Sequence, residues 1–213
     1  YINAKNKNVI EISDLSFKYF NSEDYIFEDI SIKIPENTHT IITGPNGSGK
    51  STLLGLMSGV LYSNKGNVKI YKEKFGYIGA TPLIFTGSIR ENLIYGNENK
   101  INDNDMLELM KKFDLFKEDK RYNLNEIIDN KSLSSGQMQK ISFIRALLAD
   151  TEILLLDEST ANLDEKSKNL IFEILRDQNI TIINSTHDPE SFKDSDNHLR
   201  IFVKDDKRLI SFN

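Results

Sequence analysis

A glycine-rich segment limits the fold of this chain more than any other feature of its sequence. Residues 44–51 read Gly-Pro-Asn-Gly-Ser-Gly-Lys-Ser, a spacing typical of loops that hold phosphate groups. An apolar strand is predicted before the segment, at residues 40–43, and a helix after it, at residues 50–58. In that setting the glycines let the backbone curl, so that its N–H groups and the helix N-terminus form a cradle for phosphate oxygens. The segment therefore predicts a phosphate-binding loop between a buried strand and a helix.

The residue types in this loop suit the binding of a nucleotide. Lys50 can reach the β- and γ-phosphates, and Ser51 can place its hydroxyl on Mg²⁺. Thr52 can add a contact to the α-phosphate. The loop itself contributes the other candidate nucleotide-binding residues, which are Gly44, Asn46, Gly47, Ser48 and Gly49. The alternative is a glycine-rich turn without a ligand, and the predicted strand–loop–helix order disfavours it.

A second candidate site lies at the acidic end of an apolar strand predicted at residues 153–156. Asp157 and Glu158 follow that strand directly. Ligands of open parallel sheets bind beyond the strand ends. Asp157 is placed to hold Mg²⁺ and Glu158 to accept a proton from an attacking water. A strand followed by an ordinary polar turn is the alternative, but the phosphate-binding loop in the same chain favours the catalytic interpretation.

The segment Leu133-Ser134-Ser135-Gly136-Gln137 argues against kinases and GTPases, which share the two features above. It resembles the LSGGQ signature of ATP-binding-cassette (ABC) ATPases, with Ser135 in place of one glycine. The resemblance implies that Ser134 and the Gly136 N–H, at a helix start with Gln137, bind ATP held by the opposite subunit. The alternative is an ordinary helix cap that begins with serine.

Further positions match the same family, and the match runs from about Val9 to beyond His187. Tyr19 resembles the aromatic residue that stacks on adenine, and His187 resembles the histidine that touches the γ-phosphate and Glu158. Residues 159–164 resemble the loop that contacts the partner subunit. Taken alone, Tyr19 would be a core aromatic, His187 a structural histidine and residues 159–164 a helix N-cap.

Residues 85–92, Phe-Thr-Gly-Ser-Ile-Arg-Glu-Asn, resemble a segment of exporter-type members and favour export over import. Two other places depart from the family. Ala80 stands where a glutamine usually reaches Mg²⁺ and the attacking water, so we expect slower hydrolysis or weaker coupling. Residues 126–131 lack the usual Gly-Glu pair, which affects coupling and leaves ATP binding intact.

The distribution of apolar residues predicts an α/β fold. Strands are predicted at residues 9–13, 32–34, 40–42, 68–71, 74–78, 153–156, 181–183 and 199–203, and helices at 50–58, 104–113, 135–150 and 164–177. The late alternation of helix and strand implies a parallel sheet covered by helices. Residues 88–132 show no clear strand. We therefore expect a P-loop NTPase core with an antiparallel β-subdomain and an inserted α-helical subdomain at about residues 88–135, as in ABC ATPases.

Composition excludes several function classes. The chain has no cysteine, so disulfides and cysteine-bound metals are excluded. A net charge of −5 argues against a nucleic-acid partner. The longest strongly apolar run, residues 153–156, is far shorter than the about 20 residues of a membrane helix. Because the sequence begins with Tyr1, we expect it to be part of a longer protein whose transmembrane domain lies outside this chain.

Together with the resemblance, these features imply an ATPase whose hydrolysis of ATP drives transport across a membrane. Two copies, most simply a homodimer, would close head to tail around two ATP molecules. The helical lobe would pass the motion to a coupling helix of the transmembrane domain, at the cytoplasmic face. One alternative is a non-transport ABC ATPase of DNA repair or the ribosome, but the long coiled-coil or basic insertions of those proteins are missing. The other is a regulatory module with little turnover, which only Ala80 supports. The cargo stays open.

Overall fold

Strands and helices alternate along the described residues of this computed structural model, which are 8–97, 100–116, 122–192, 194–204 and 207–213. The strands are β1 (Asn8–Phe17), β2 (Phe27–Pro35), β3 (His39–Thr43), β4 (Lys65–Ile70), β5 (Phe75–Gly79), β6 (Gly87–Ser88), β7 (Ile127–Ile128), β8 (Ile153–Asp157), β9 (Thr181–Ser185), β10 (Asn197–Lys204) and β11 (Lys207–Phe212). The helices are α1 (Lys50–Met57), α2 (Ile89–Ile94), α3 (Asp103–Lys112), α4 (Ser135–Leu148) and α5 (Glu165–Arg176), with a 3-10 turn at Pro189–Phe192.

The chain divides into two compact units. The first is built from the described parts of residues 1–77, 152–158 and 180–213, and the second from residues 78–151 and 159–179. The helical lobe expected at about residues 88–135 is a narrower division than the second unit, and it stays a prediction. Among the helices in the described ranges, none has the length and apolar character that a bilayer crossing requires.

The first unit contains an antiparallel sheet and most of a larger mixed sheet. The smaller sheet has the order β2-β1-β4, and both of its pairings are antiparallel. The larger sheet has the order β11-β10-β3-β9-β8-β5, with parallel pairing from β10 through β3 and β9 to β8. This mixed α/β arrangement confirms the fold class that the sequence predicted.

The strand register brings the candidate residues to one edge of the larger sheet. Ser185, at the end of β9, lies opposite Ile42 of β3 on one side and Asp157 of β8 on the other. Because these strands are parallel, their carboxyl ends point the same way. The loop that follows β3 and the acidic pair at the end of β8, Asp157 and Glu158, therefore lie at the same edge of the sheet.

Burial explains why these strands form. In β2 the apolar residues Phe27, Ile30, Ile32 and Ile34 are buried, and the charged residues between them are exposed. Such alternation is expected where one face of an antiparallel sheet is solvated. Strands β8 and β9 are buried along nearly their whole length, as expected for central parallel strands covered on both faces.

The second unit is mainly helical, with one small strand pair. Helices α2 and α3 both pack against α4, and α4 also contacts α5. The expectation of no strand within residues 88–132 is wrong in detail, because β6 and β7 pair antiparallel, with Gly87 opposite Ile128 and Ser88 opposite Ile127. Strands of two residues are too short to show the alternation from which strands are predicted.

Candidate functional site

The phosphate-binding loop joins the end of β3 to the start of α1. Gly49 is the N-cap of α1, with φ of 102°, and no side chain caps the helix. The first-turn N–H groups are therefore available to a ligand. Gly44 is required for close packing, since a Cβ there would lie 2.6 Å from the Ile201 carbonyl oxygen and 2.7 Å from Ser48 Oγ. Gly44 and Gly49 thus shape the loop, and phosphate binding by it stays a prediction.

Lys50 is a buried cation within this loop. Its side chain turns back, so that Nζ donates to the carbonyl oxygens of Gly44 at 3.1 Å and Pro45 at 3.4 Å. Lys50 is only 5% exposed, and no carboxylate pairs with it among the described residues. Buried charges in proteins are normally paired. The loop therefore holds a positive charge that an anionic ligand would balance.

Three hydroxyl groups converge on the carboxylate of Asp157. Ser185 Oγ donates to Oδ1 at 2.7 Å, and Ser51 Oγ donates to the same oxygen at 3.1 Å. Tyr77 donates its phenolic hydrogen to Oδ2 at 2.9 Å. Burial and the hydrogen bond to Asp157 raise the pKa of Tyr77 to about 12, so the phenol stays a neutral donor at ordinary pH. Asp157 is therefore held at both oxygens by neutral donors.

Sequence reasoning missed two of these three groups. It selected Ser51 from the loop pattern, but not Tyr77 or Ser185, which reach Asp157 from the neighbouring strands β5 and β9. The available signal was weak, since each is a hydroxyl residue at or near the end of an apolar strand. Only the strand order shows that they flank β8.

Glu158 and His187 lie together, although 29 positions separate them. His187 Nε2 and Glu158 Oε1 are 2.6 Å apart, and both side chains are partly exposed to solvent. Glu158 has a left-handed backbone, with φ of 52°, and its N–H donates to the Ser185 carbonyl oxygen at 3.2 Å. Such conformations in residues other than glycine are uncommon and cluster at functional sites. The carboxylate thus faces solvent, from which water can arrive.

The donors around Asp157 suit Mg²⁺ that arrives with a nucleotide. The Asp157 carboxylate and the Ser51 hydroxyl are hard oxygen ligands, the kind that Mg²⁺ prefers. Within the described ranges, no group of three or more His, Cys, Asp or Glu side chains could hold a metal. Mg²⁺ is commonly bound through one or two protein ligands with waters and substrate phosphates, so the residues present fit it.

Tyr19 is placed on the surface, which excludes its alternative interpretation as a core aromatic. Its side chain is half exposed, and its ring meets that of Phe17 edge-on at a centroid distance of 5.1 Å. The Tyr19 hydroxyl and Thr52 Oγ1 are 2.9 Å apart. Two residues selected for different parts of a nucleotide are therefore linked in the first unit. Stacking on adenine stays a prediction.

In the second unit the signature segment forms the start of α4. Ser134 is the N-cap, and its hydroxyl accepts from the Gln137 N–H at 3.2 Å while Gln137 Oε1 accepts from the Ser134 N–H at 2.9 Å. Gln137 Nε2 also donates to the Leu115 carbonyl oxygen at 3.2 Å. The helix cap that the alternative interpretation predicted is therefore observed. ATP contact by Ser134, Gly136 and Gln137 stays a prediction.

Packing does not explain the glycine at position 136. A Cβ added to Gly136 would meet nothing closer than Leu163 Cδ2, at 3.7 Å, which is ordinary contact. Alanine is also the better helix former at such a position. The packing of this chain therefore does not require glycine at position 136. A ligand that approaches the backbone closely there would require it.

Residues 159–164 lead into α5. Asp164 is its N-cap and accepts from the Ser167 N–H at 2.7 Å, as the N-cap alternative predicted. These hydrogen bonds hold the pKa of Asp164 below its ordinary value. Ser159 and Thr160 are buried, and Ser159 Oγ has no partner among the described residues. Contact with a partner subunit stays a prediction.

The segment at residues 85–92 is tied to α4 by an arginine that sequence reasoning missed. Arg145 donates from Nε to the Asn92 carbonyl oxygen at 2.8 Å and from Nη2 to the Leu83 carbonyl oxygen at 3.0 Å. Burial lowers the pKa of its guanidinium, which also lies over the Tyr95 ring. Ala80, just after β5, has no polar side-chain atom to add to the site.

Comparison with known proteins agrees with these observations. A family model described as ABC transporter matches residues 27–161. ATP-dependent permease MDL1 of Candida albicans is 30% identical over 213 residues, covering 88% of this chain and 30% of that protein. ABC transporter B family member 17 of Arabidopsis thaliana is 34% identical over 193 residues, covering 82% and 16%. This chain thus spans less than a third of the length of these two relatives.

A shorter relative is matched over most of its own length. The energy-coupling factor transporter ATP-binding protein EcfA1 of Mycoplasma mobile is 31% identical over 204 residues, covering 86% of this chain and 73% of that protein. The similarity therefore extends well beyond the phosphate-binding loop and the acidic strand end.

Proposed function

Because the chain belongs to the ABC transporter family, as its ATPase domain, we propose that two copies close around two ATP molecules and power export through a membrane domain. One observation carries the proposal. Lys50 is a buried cation that no carboxylate of the described residues pairs with, and it lies in a glycine-rich loop at the sheet edge where Asp157 and Glu158 also lie. Triphosphate oxygens are the ligand that this charge and these N–H groups suit.

Each residue of the first unit would have one task in hydrolysis. Lys50 would hold the β- and γ-phosphates, and Ser51 and Asp157 would hold Mg²⁺, which neutralises charge that develops on the phosphates. Glu158 would accept a proton from the water that attacks the γ-phosphorus, while the bond to the bridging oxygen breaks and ADP leaves. His187, 2.6 Å from Glu158, would keep that carboxylate in place and touch the γ-phosphate.

The signature segment would complete the site of the other copy. Ser134 and Gly136 lie in the first turn region of α4, where N–H groups favour an anion. The spare room at Gly136 supports a ligand there. Because each ATP would contact both copies, ATP binding would close the pair, and hydrolysis would release it. Two identical copies are the simplest assembly, since one chain carries both kinds of half-site.

Coupling to a membrane is the remaining part of the proposal. The helical lobe at about residues 88–135 would contact a coupling helix of the transmembrane domain at the cytoplasmic face. The name of the Candida albicans relative, an ATP-dependent permease, supports a role in transport, and the exporter-like residues 85–92 favour export over import. The chemical class of the cargo would be decided by the transmembrane domain.

One observation favours a second candidate, a regulatory module with little turnover. Ala80 has no polar atom with which to hold Mg²⁺ or the attacking water, where the family usually has glutamine. The close pair of Glu158 and His187 supports turnover instead. The two candidates differ in one measurable quantity, the rate at which bound ATP is hydrolysed.

The test compares Glu158→Gln with the unchanged chain. We expect ATP turnover to fall about 100-fold or more, because a positioned general base contributes that much. Glu158→Gln should still bind ATP and should elute as a dimer in size-exclusion chromatography with ATP. Glu173→Gln, an exposed change on α5, is the matched control and should leave turnover unchanged. If all three proteins bound ATP and none of them, the unchanged chain included, hydrolysed it, the regulatory module would be favoured. If the unchanged chain did not bind ATP, both candidates would be overturned.

A further inference from the structure

The side chain of Tyr77, in β5, contacts the carboxylate of Asp157, the last residue of β8. Tyr77 donates to Asp157 Oδ2 at 2.9 Å, whereas Ser51 and Ser185 both donate to Oδ1. The three hydroxyl groups are therefore divided unequally, with two donors on Oδ1 and one on Oδ2. Within the described ranges, Tyr77 is the only group that holds the second oxygen.

The second oxygen decides how well the carboxylate is oriented. The terminal torsion of an aspartate is broad, so donors on one oxygen leave the plane of the carboxylate free to turn. A donor on the other oxygen fixes that plane. Tyrosine suits this task because its hydroxyl is carried by a rigid ring with few torsions.

We propose that Tyr77 is a positioning residue for Mg²⁺, which it serves by holding Asp157 through Oδ2. The inference rests on the proposed function, since it assumes that Asp157 and Ser51 hold the Mg²⁺ that accompanies ATP. Partners of metal ligands set ligand orientation and basicity. Among the residues of β5, Tyr77 has a polar side chain, and that side chain donates to Asp157. Ala80, which follows β5, has no polar side-chain atom.

The inference predicts a defect in metal binding that spares nucleotide binding. Tyr77→Phe keeps the ring and removes only the donor. Loss of such a partner typically weakens metal affinity about 10-fold or more. The affinity for ATP in excess EDTA should stay unchanged, because the phosphate-binding loop is untouched. The affinity for Mg²⁺ in the presence of ATP should fall.

The measurement uses a fluorescent ATP analogue and Mn²⁺ as a paramagnetic probe. Titration of the analogue in EDTA gives the metal-free affinity, and Mn²⁺ binding followed by electron paramagnetic resonance with ATP present gives the metal affinity. Tyr71→Phe is the matched control, since Tyr71 is about as exposed and also donates to a carboxylate, that of Glu11 at 3.1 Å. We expect the metal affinity to fall for Tyr77→Phe and to stay unchanged for Tyr71→Phe.

Equal Mn²⁺ affinity in Tyr77→Phe and the unchanged chain would overturn the inference and leave the proposed function intact. An equal fall in both tyrosine variants would also overturn it, because the effect would then be a general loss of stability. If the unchanged chain bound no ATP, the proposed function and this inference would fail together.

Discussion

At Gly44, both the fold and the candidate site depend on the absence of a Cβ atom. A Cβ there would lie 2.6 Å from the Ile201 carbonyl oxygen, a backbone atom of β10 that cannot turn away. We expect Gly44→Ala to lower the free energy of unfolding by about 1–3 kcal/mol, the usual cost of overpacking. The loop should shift with it, so that ATP affinity falls about 10-fold, equivalent to roughly 1.4 kcal/mol.

Thermal denaturation and titration with a fluorescent ATP analogue would check this prediction. Gly59→Ala is the control, because a Cβ at Gly59 would meet no atom within 4 Å, although Gly59, unlike Gly44, has a positive φ. That control should cost some stability and leave ATP affinity unchanged. Unchanged ATP affinity in Gly44→Ala would show that the loop tolerates the shift.

For single residues, the sequence predicts which side chains belong to the candidate site better than it predicts which of them are in contact. Lys50, Asp157, Glu158 and His187 could be selected from motif order, and the structure brings Glu158 and His187 to 2.6 Å. Tyr77 could not be selected, because its use depends on β5 lying beside β8 in the sheet. Strand order is a long-range property, and local apolar patterns carry no information about it.

Element prediction succeeded where burial dominates and failed where elements are short or at an edge. Strand β8 lies within one residue of its prediction because its apolar run is fully buried on both faces. Helix α4 ends two residues earlier than predicted, and Asp150 has a left-handed backbone just after it. Strand β11 was not predicted, because this edge strand begins with two charged residues and is only partly buried.

The hairpin of β10 and β11 supports the phosphate-binding loop through one arginine. Arg208 donates from Nη2 to the Gly47 carbonyl oxygen at 3.3 Å. We expect Arg208→Met to weaken ATP binding about 3- to 10-fold, because one hydrogen bond to the loop, worth roughly 1 kcal/mol, is lost along with a nearby positive charge. The methionine keeps most of the apolar stem, so the fold should persist.

Isothermal titration with ATP would measure this effect. Lys207→Met is the matched control, since it removes the same charge from the neighbouring residue, which pairs instead with Glu28. Equal ATP affinities in the two variants would mean that net charge, and not the contact with Gly47, is responsible.

For the whole molecule, the proposed function divides each ATP site between two copies. Lys50→Met disables the phosphate-binding loop of its own copy. Gly136→Asp should leave α4 folded, because a Cβ fits there and an acidic residue suits a helix N-terminus, but its charge would repel a phosphate. Each variant alone should be inactive in ATP turnover.

An equal mixture of the two variants should regain about a quarter of the wild-type turnover. Half of the pairs are then mixed, and each mixed pair has one intact site of two. A mixture of Lys50→Met with Glu158→Gln is the control, since both changes lie in the same half of a site and no intact site can form. Absence of recovery in the first mixture would show that Ser134 and Gly136 do not complete the site of another copy.

The left-handed backbone of Glu158 has a consequence for how such chains diverge. This conformation costs roughly 1–2 kcal/mol in residues other than glycine, and asparagine tolerates it better than most. A duplicated copy that is freed from the need to hydrolyse ATP gains stability by replacing this glutamate with glycine or asparagine. We therefore expect inactive descendants to carry glycine or asparagine at this position more often than alanine or valine. The left-handed backbone would then determine which residue replaces the glutamate after hydrolysis is lost.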